Sequence, residues 1–165
     1  MAAKSRHLLK DREVREILAS LSARFGDEPR AMLGHEPKIE LLELHRATLL
    51  LITGRPILFR REGVPFPTLL YEEFLARLPH ITVDMGAVPH VCNGADIMSP
   101  GVVQVGGEFE AGAIVTVVDE RHRRYIALGE ALARSSDLQK RDRGKVVRNL
   151  HYVGDHVWNA AKNLR

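Results

Sequence analysis

A chain of 165 residues is long enough for one good core or for two small domains, and 45% hydrophobic with 27% charged residues excludes a mainly disordered polymer. The formal net charge of +3 and pI near 9.2 fit an ordinary solvated surface as well as an anionic partner, so the distribution of the charges has to decide. A single cysteine, Cys92, excludes an internal disulfide framework and a cysteine-based zinc cage.

The first residues, M-A-A-K-S-R-H-L-L-K-D-R, lack the apolar run of a secretory signal. The most apolar segment, around residues 49–52, is cut by Gly54, Arg55 and Pro56, too soon to span a bilayer. A cytoplasmic protein is expected. In chain order, Val14, Ile17, Leu18, Leu21 and Phe25 recur at three-to-four spacing with Gly26 just beyond, which predicts an amphipathic helix over residues 11–25. Residues 33–37 read as a loop, residues 39–45 and 48–52 as strands, Gly54-Arg55-Pro56 as a turn and residues 57–60 as a third strand. Residues 61–67 are turn-rich, and helical spacing returns over residues 69–78 until Pro79. The domain boundary is placed there, giving domains 1–78 and 79–165.

Beyond it the pattern changes to short strands, over residues 81–84, 101–105, 113–119, 124–132 and 146–152, with a short helix within residues 85–92 that holds Pro89 in its first turn. Five or six short strands in about 85 residues suggest a small closed or partly closed barrel, an architecture that removes exposed strand edges. Periodicity alone does not distinguish one small barrel from another.

Residues 83–102, V-D-M-G-A-V-P-H-V-C-N-G-A-D-I-M-S-P-G-V, carry little side-chain bulk at Gly86-Ala87, Gly94-Ala95 and Pro100-Gly101. A partner can approach such a backbone closely, or the glycines serve only as tight turns between strands. Downstream, Arg121, Arg123, Arg124, Arg134, Lys140, Arg141, Arg143, Lys145 and Arg148 face only Glu130, Asp137 and Asp142 in the same run. That concentration can neutralise phosphates, or it can be a solvated surface. An aromatic content of 5% argues against a stacking platform of several exposed rings, and Tyr152 and Trp158 are expected to pack the barrel's end.

No catalytic constellation emerges. His151 and His156 lack the two-histidine spacing of a zinc hydrolase, and Asp84, a candidate carboxylate pair with Asp96, is better placed to cap the helix that follows it. Cys92 has no adjacent cation to activate it, and no phosphate-binding loop of the G-x-x-x-x-G-K type occurs. Neither a metal nor a cofactor is expected.

The order V-D-x-G-A, then N-G-A-D-I-M-S-P-G-V, then N-L-H-Y-V-G-D-H-V-W resembles the PUA domain, an RNA-binding module named for pseudouridine synthases and archaeosine transglycosylases. The preceding I-L-F-R-R-E-G-V-P-F-P-T-L-L is similar to the segment before that domain in the translation-associated family of malignant T-cell amplified sequence protein and its yeast counterpart, which has short archaeal members. The resemblance implies an α+β fold, a small N-terminal α/β domain followed by a PUA pseudo-barrel. It also implies a non-catalytic RNA-binding protein acting in translation, at the small ribosomal subunit or on the acceptor end of transfer RNA. Its RNA-binding residues would be Gly86, Ala87, Asn93, Gly94, Ala95, Met98, Pro100, Gly101, Val102, Arg123, Arg124 and Arg134. The implied partners are structured RNA and, as in the eukaryotic relatives, a density-regulated protein with an initiation-factor-like domain. Two other readings stay open: a subunit that presents transfer RNA to a modifying enzyme, and a protein-interaction adaptor.

Overall fold

The computed structural model describes residues 3–138 and 144–164, so Lys140, Arg141 and Arg143 of the basic run lie outside the described residues. The chain forms two compact units, Met1–Phe74 with His156–Arg165, and Leu75–Asp155. Each has its own sheet.

In the first unit, strand β1 (Ala3–Leu8) leads into helix α1 (Asp11–Phe25), which buries Val14, Ile17, Leu18 and Leu21 as its spacing predicts. The Glu13 carboxylate accepts the Lys10 backbone N–H at 3.1 Å, satisfying one of the unpaired donors at the helix start. Helix α2 (Glu28–Leu33) is not anticipated by the sequence pattern, whose helix ends at Gly26. Pro29 occupies its first turn, where the missing N–H costs nothing.

Strands β2 (Ile39–Leu44), β3 (Thr48–Ile52), β4 (Arg55–Arg61) and β5 (Val64–Pro67) complete a sheet of order β1-β2-β3-β4-β5, antiparallel throughout. The β3–β4 turn is Thr53-Gly54, not Gly54-Arg55-Pro56, since Arg55 already pairs with Ile52. Both this turn and Glu62-Gly63 have two residues at positive φ, the two-residue hairpin geometry that matches strand twist. Residues 64–67 are therefore a strand rather than loop; Pro65 and Pro67 are tolerated because β5 is an edge. Strand β1 escaped prediction because A-K-S-R-H-L has no apolar alternation and is mostly exposed at the other edge. The middle strands are buried nearly continuously, with α1 along β5 and the last helix, α6 (His156–Asn163), on β3 and β4. The expected second domain, 79–165, included that last helix, whereas its buried Ala160 and Ala161 group it with the first unit. Trp158 lies on α6 under the Lys162 ammonium, 4.4 Å away.

The helix expected over residues 69–78 shrinks to α3 (Glu72–Leu75), flanked by single turns closed by Tyr71 N–H to the Thr68 carbonyl and Leu78 N–H to the Leu75 carbonyl. The second unit then contains β6 (His80–Val83), α4 (Val88–Val91), β7 (Ile97–Met98), a 3-10 turn (Ser99–Gly101), β8 (Val102–Gly106), β9 (Ile114–Asp119), β10 (Tyr125–Ala131), α5 (Ser135–Leu138) and β11 (Lys145–Tyr152). The expected five strands are all present, within one or two residues at their ends; β7, only two residues long, is additional.

The strand order is β7-β11-β10-β9-β6-β8, with β6 and β9 parallel and the remaining pairs antiparallel. Strands β7 and β8 stand at opposite edges, yet only Ser99–Gly101 separates them. In a flat sheet five inter-strand spacings would put those edges about 24 Å apart. Four residue steps from Met98 to Val102 reach at most about 14 Å. The sheet must therefore curl on itself into a pseudo-barrel around Ile81, Val83, Val115, Val117, Leu138 and Val147, and the 3-10 turn is its seam.

Candidate nucleic-acid interface

The seam is built by a chain of short-range bonds that starts at Asp84. Its side chain accepts the Ala87 N–H at 2.8 Å, fixing the turn into α4, and its own N–H donates to the Gly101 carbonyl at 2.9 Å, tying that turn to the seam. Pro89 sits in the first turn of α4 and Val91 plugs the helix into the barrel core. After α4 the chain is reversed by Gly94 at φ 96°, and a Cβ there would stand 3.2 Å from the Tyr152 ring. Gly94 thus packs on the Tyr152 ring of the last strand, beside the residues that line the pocket.

Asn149 of β11 latches this reversal. Its side-chain amide donates to the carbonyls of Val91 at 3.1 Å and Ala95 at 3.0 Å, while its backbone N–H donates to the Asp96 carboxylate at 2.9 Å. The seam turn is held from the other side by the Ser99 N–H to the Gly144 carbonyl, 2.8 Å. Gly101 lies so close to Ala87 that a Cβ on it would come within 3.1 Å of the alanine methyl.

These constraints leave a pocket of about 410 Å³ between α4, the Ala95–Asp96 backbone and the seam, lined by Ala87, His90, Met98, Pro100 and Gly101 together with the carboxylates of Asp84 and Asp96. Its volume lies in the range of ligand sites, about 300–1,000 Å³. Met98 is 46% exposed and nearby Val103 51% exposed, a large apolar surface for such a small loop. The pocket's charged walls are acids, and one of them is partly compensated: Asp96 pairs with Lys145 at 3.2 Å.

The structure thus gathers Ala87, Ala95, Met98, Pro100 and Gly101 of the expected RNA-binding set around one pocket. Gly86 and Asn93 are exposed on the adjoining turns, and Val102 is half-buried at the start of β8. The sequence reading missed Asp84, His90 and Asp96 as pocket walls and Asn149 as the latch. Asn149 stands in β11 between Arg148 and Leu150 with His151 beyond, so its polarity did not single it out.

The basic residues separate into two groups. Arg134 lies 3.6 Å from Glu110 and 3.8 Å from Asp137, and Arg148 lies 3.6 Å from Glu130, so these cations meet carboxylates already. Arg121, Arg123 and Arg124 instead stand exposed on the β9–β10 turn. Buried Asp119 organises that turn: its carboxylate accepts the backbone N–H groups of His122 and, at 3.0 Å, of Arg124. Burial pushes the Asp119 carboxyl up, but the backbone donors of His122, Arg124 and Arg121, aided by the His122 charge, outweigh it and leave the group below the usual carboxylate range. The Glu120 carboxylate accepts the Met85 N–H at 3.2 Å, which joins this cationic turn to the Asp84 end of the pocket.

Cys92 is half-buried, and burial first and the Asp119 charge second push its thiol above its ordinary value, the reverse of an activated nucleophile. Among the described residues no group of three histidine, cysteine or acidic side chains is placed to hold a metal ion. Nor is any described helix long and apolar enough to cross a membrane.

Residues 79–153 match the PUA domain, and residues 5–72 match a domain of unknown function, DUF1947. Human malignant T-cell-amplified sequence 2 is 30% identical over 92% of this chain and 88% of its own length. Translation machinery-associated protein 20 of Saccharomyces cerevisiae is 27% identical over 78% of this chain and 75% of its own. Among solved structures, a hypothetical protein from Pyrococcus horikoshii OT3 superposes with a TM-score of 0.80 at 32% identity, covering 95% of this chain and 99% of that one.

Proposed function

The chain belongs to the family of two-domain PUA proteins that includes the malignant T-cell-amplified sequence proteins, and we propose that it is a non-catalytic, cytoplasmic RNA-binding protein of translation that holds the unpaired 3′ end of a transfer RNA in the seam pocket, at the small ribosomal subunit. The translation role is carried over from the relatives' names. The RNA end is argued from the pocket.

The observation that supports it is the pairing of small apolar walls with acceptor-only walls. Asp84 and Asp96 repel a phosphate but match hydrogen-bond donors, and carboxylates accept from exocyclic base amines. Every base of a C-C-A end carries such an amine, and its terminal ribose adds two hydroxyl donors. Exposed Met98 and Pro100 offer apolar surface to a splayed base, while Arg121 and Arg124 on the adjoining turn suit the phosphates that must stay outside.

The test is a titration of the full chain with intact transfer RNA and with the same RNA lacking its terminal C-C-A, at fixed salt. Trimming should weaken binding at least tenfold, about 1.4 kcal/mol. Ala95→Leu, which fills the pocket from an exposed neutral position, should cost the intact RNA as much and the trimmed RNA nothing. Equal affinity for the two RNAs would remove the 3′ end from the reading.

A further inference from the structure

A second cavity of the Leu75–Asp155 unit shares no lining residue with the seam pocket. On β6, Ile81 and Val83 enter the core, so His80 and Thr82 face away from it; on β9, Val115 and Val117 enter the core and leave Thr116 and Val118 on that same outer face. The register sets His80 beside Thr116, Thr82 beside Val118 and Tyr125 beside Val118. Leu75, Ala76 and Leu78 wall the depression, and Arg123 stands at its rim.

Two local features hold this arrangement. Arg123 takes a positive φ of 58°, unusual for a side-chain-bearing residue, and its guanidinium Nη1 donates to the Thr82 hydroxyl at 3.1 Å. A backbone outlier of this kind persists where the surroundings fix it and marks a functional hypothesis. The His80 ring lies directly against Gly106, where the imidazole leaves no room for a Cβ.

The cavity measures about 190 Å³, below the range of about 300–1,000 Å³ typical of metabolite sites. That suits one planar ring. Its walls combine aliphatic Leu75, Ala76, Leu78 and Val118 with the rings of His80 and Tyr125, the Thr116 hydroxyl and one guanidinium, that of Arg123, a mixed lining that fits a ring with an edge carbonyl better than an oxyanion held by several cations. We propose that this cavity receives one unpaired nucleobase of the bound RNA, with Arg123 donating to a base carbonyl and Tyr125 and His80 bordering the ring. The inference rests on the RNA-binding reading and adds a base-reading subsite to it. Arg123 then selects sequence as well as charge.

The experiment follows backbone amide resonances of the full chain during titration with uridine, with adenosine, with inorganic phosphate and with a single-stranded uridine hexamer. Uridine should move the amides of Thr82, Val118 and Arg123, and phosphate should not. Adenosine, lacking a base carbonyl, should bind at least tenfold more weakly, and the hexamer should saturate the same amides at least tenfold lower in concentration than uridine. Arg123→Gly accepts the same φ while deleting the guanidinium, and Ala76→Phe blocks the mouth from an exposed position; each should raise the uridine midpoint at least tenfold with the melting temperature kept. Silence of these amides towards uridine, equal shifts with phosphate, binding of uridine but not of the hexamer, or an unchanged Arg123→Gly midpoint would each overturn the proposal. Transfer RNA that moves the Met98 and Gly101 amides in the same sample, without those at Arg123, would leave the seam reading standing and remove this one.

Discussion

The two sheets are built from the same short antiparallel pieces and end differently. In the first unit each strand pairs with its sequence neighbour, order β1-β2-β3-β4-β5, and the sheet stops at two edges, one charged and one proline-bearing. In the second, β7 and β8 are neighbours in sequence but opposite edges in space, and a parallel β6–β9 pair crosses the order. Closure forces backbone through a tight seam, and the seam makes a pocket. Both sheets are held by packing and by strand hydrogen bonds, and in the second the bonds of Asp84, Ser99 and Asn149 also fix the loop that forms the site.

The largest expected effect belongs to packing. Leu21 is fully buried on α1, and Leu21→Ala should destabilise the first unit by about 2–5 kcal/mol, measured by chemical unfolding. Hydrogen exchange sharpens the comparison: amides of β2 to β4 should lose more protection than Val115 and Val117 in the second core. Equal loss in both sheets would mean that the two units unfold as one.

The latch comes next. Removing the Asn149 amide by Asn149→Ala leaves the carbonyls of Val91 and Ala95 without that donor, a cost of about 1–3 kcal/mol. Its signature should be local, with amides of residues 93–101 exchanging faster and RNA affinity falling while β2 to β4 keep their protection. A fall in global stability with an unchanged seam would break the link drawn between closure and site.

The same contrast explains what the sequence disclosed. Helix α1 and strands β2 to β4 are legible because apolar period and sequential hairpins are local properties, and the seam residues were legible as a run of small side chains and turn formers. Strand β7 was not, since two residues carry no period, and the identity of its partner β11 lies some fifty residues away. The acidic walls of the pocket were equally hidden: Asp96 becomes one because β11 supplies Asn149 and Lys145 beside it, a long-range fact. Strand β1 and helix α2 were missed for the opposite reason, being stabilised by the sheet edge and by α1 rather than by their own pattern.

The smallest effect, and the most selective, concerns turns. Thr53-Gly54 and Glu62-Gly63 turn through positive-φ backbone, with no charged group given a part in closing them, whereas the arginine-bearing turn after β9 also takes hydrogen bonds to one ionised carboxylate, Asp119. Because the folded-state value of Asp119 is lowered, its stabilisation is fully present above the unfolded carboxyl value, about 3.9, and is lost as pH falls through the lowered folded value. Asp119→Asn should therefore reduce stability at pH 7, by about 1 kcal/mol, the net worth of one hydrogen bond, since the amide oxygen that replaces the carboxylate still accepts from one of the two N–H groups. The gap from the unsubstituted protein should close as the pH drops below about 4. Urea unfolding across pH 3–7 measures it. A gap that is constant with pH would assign the loss to packing rather than to the charge, and the two kinds of turn would then no longer differ in what holds them.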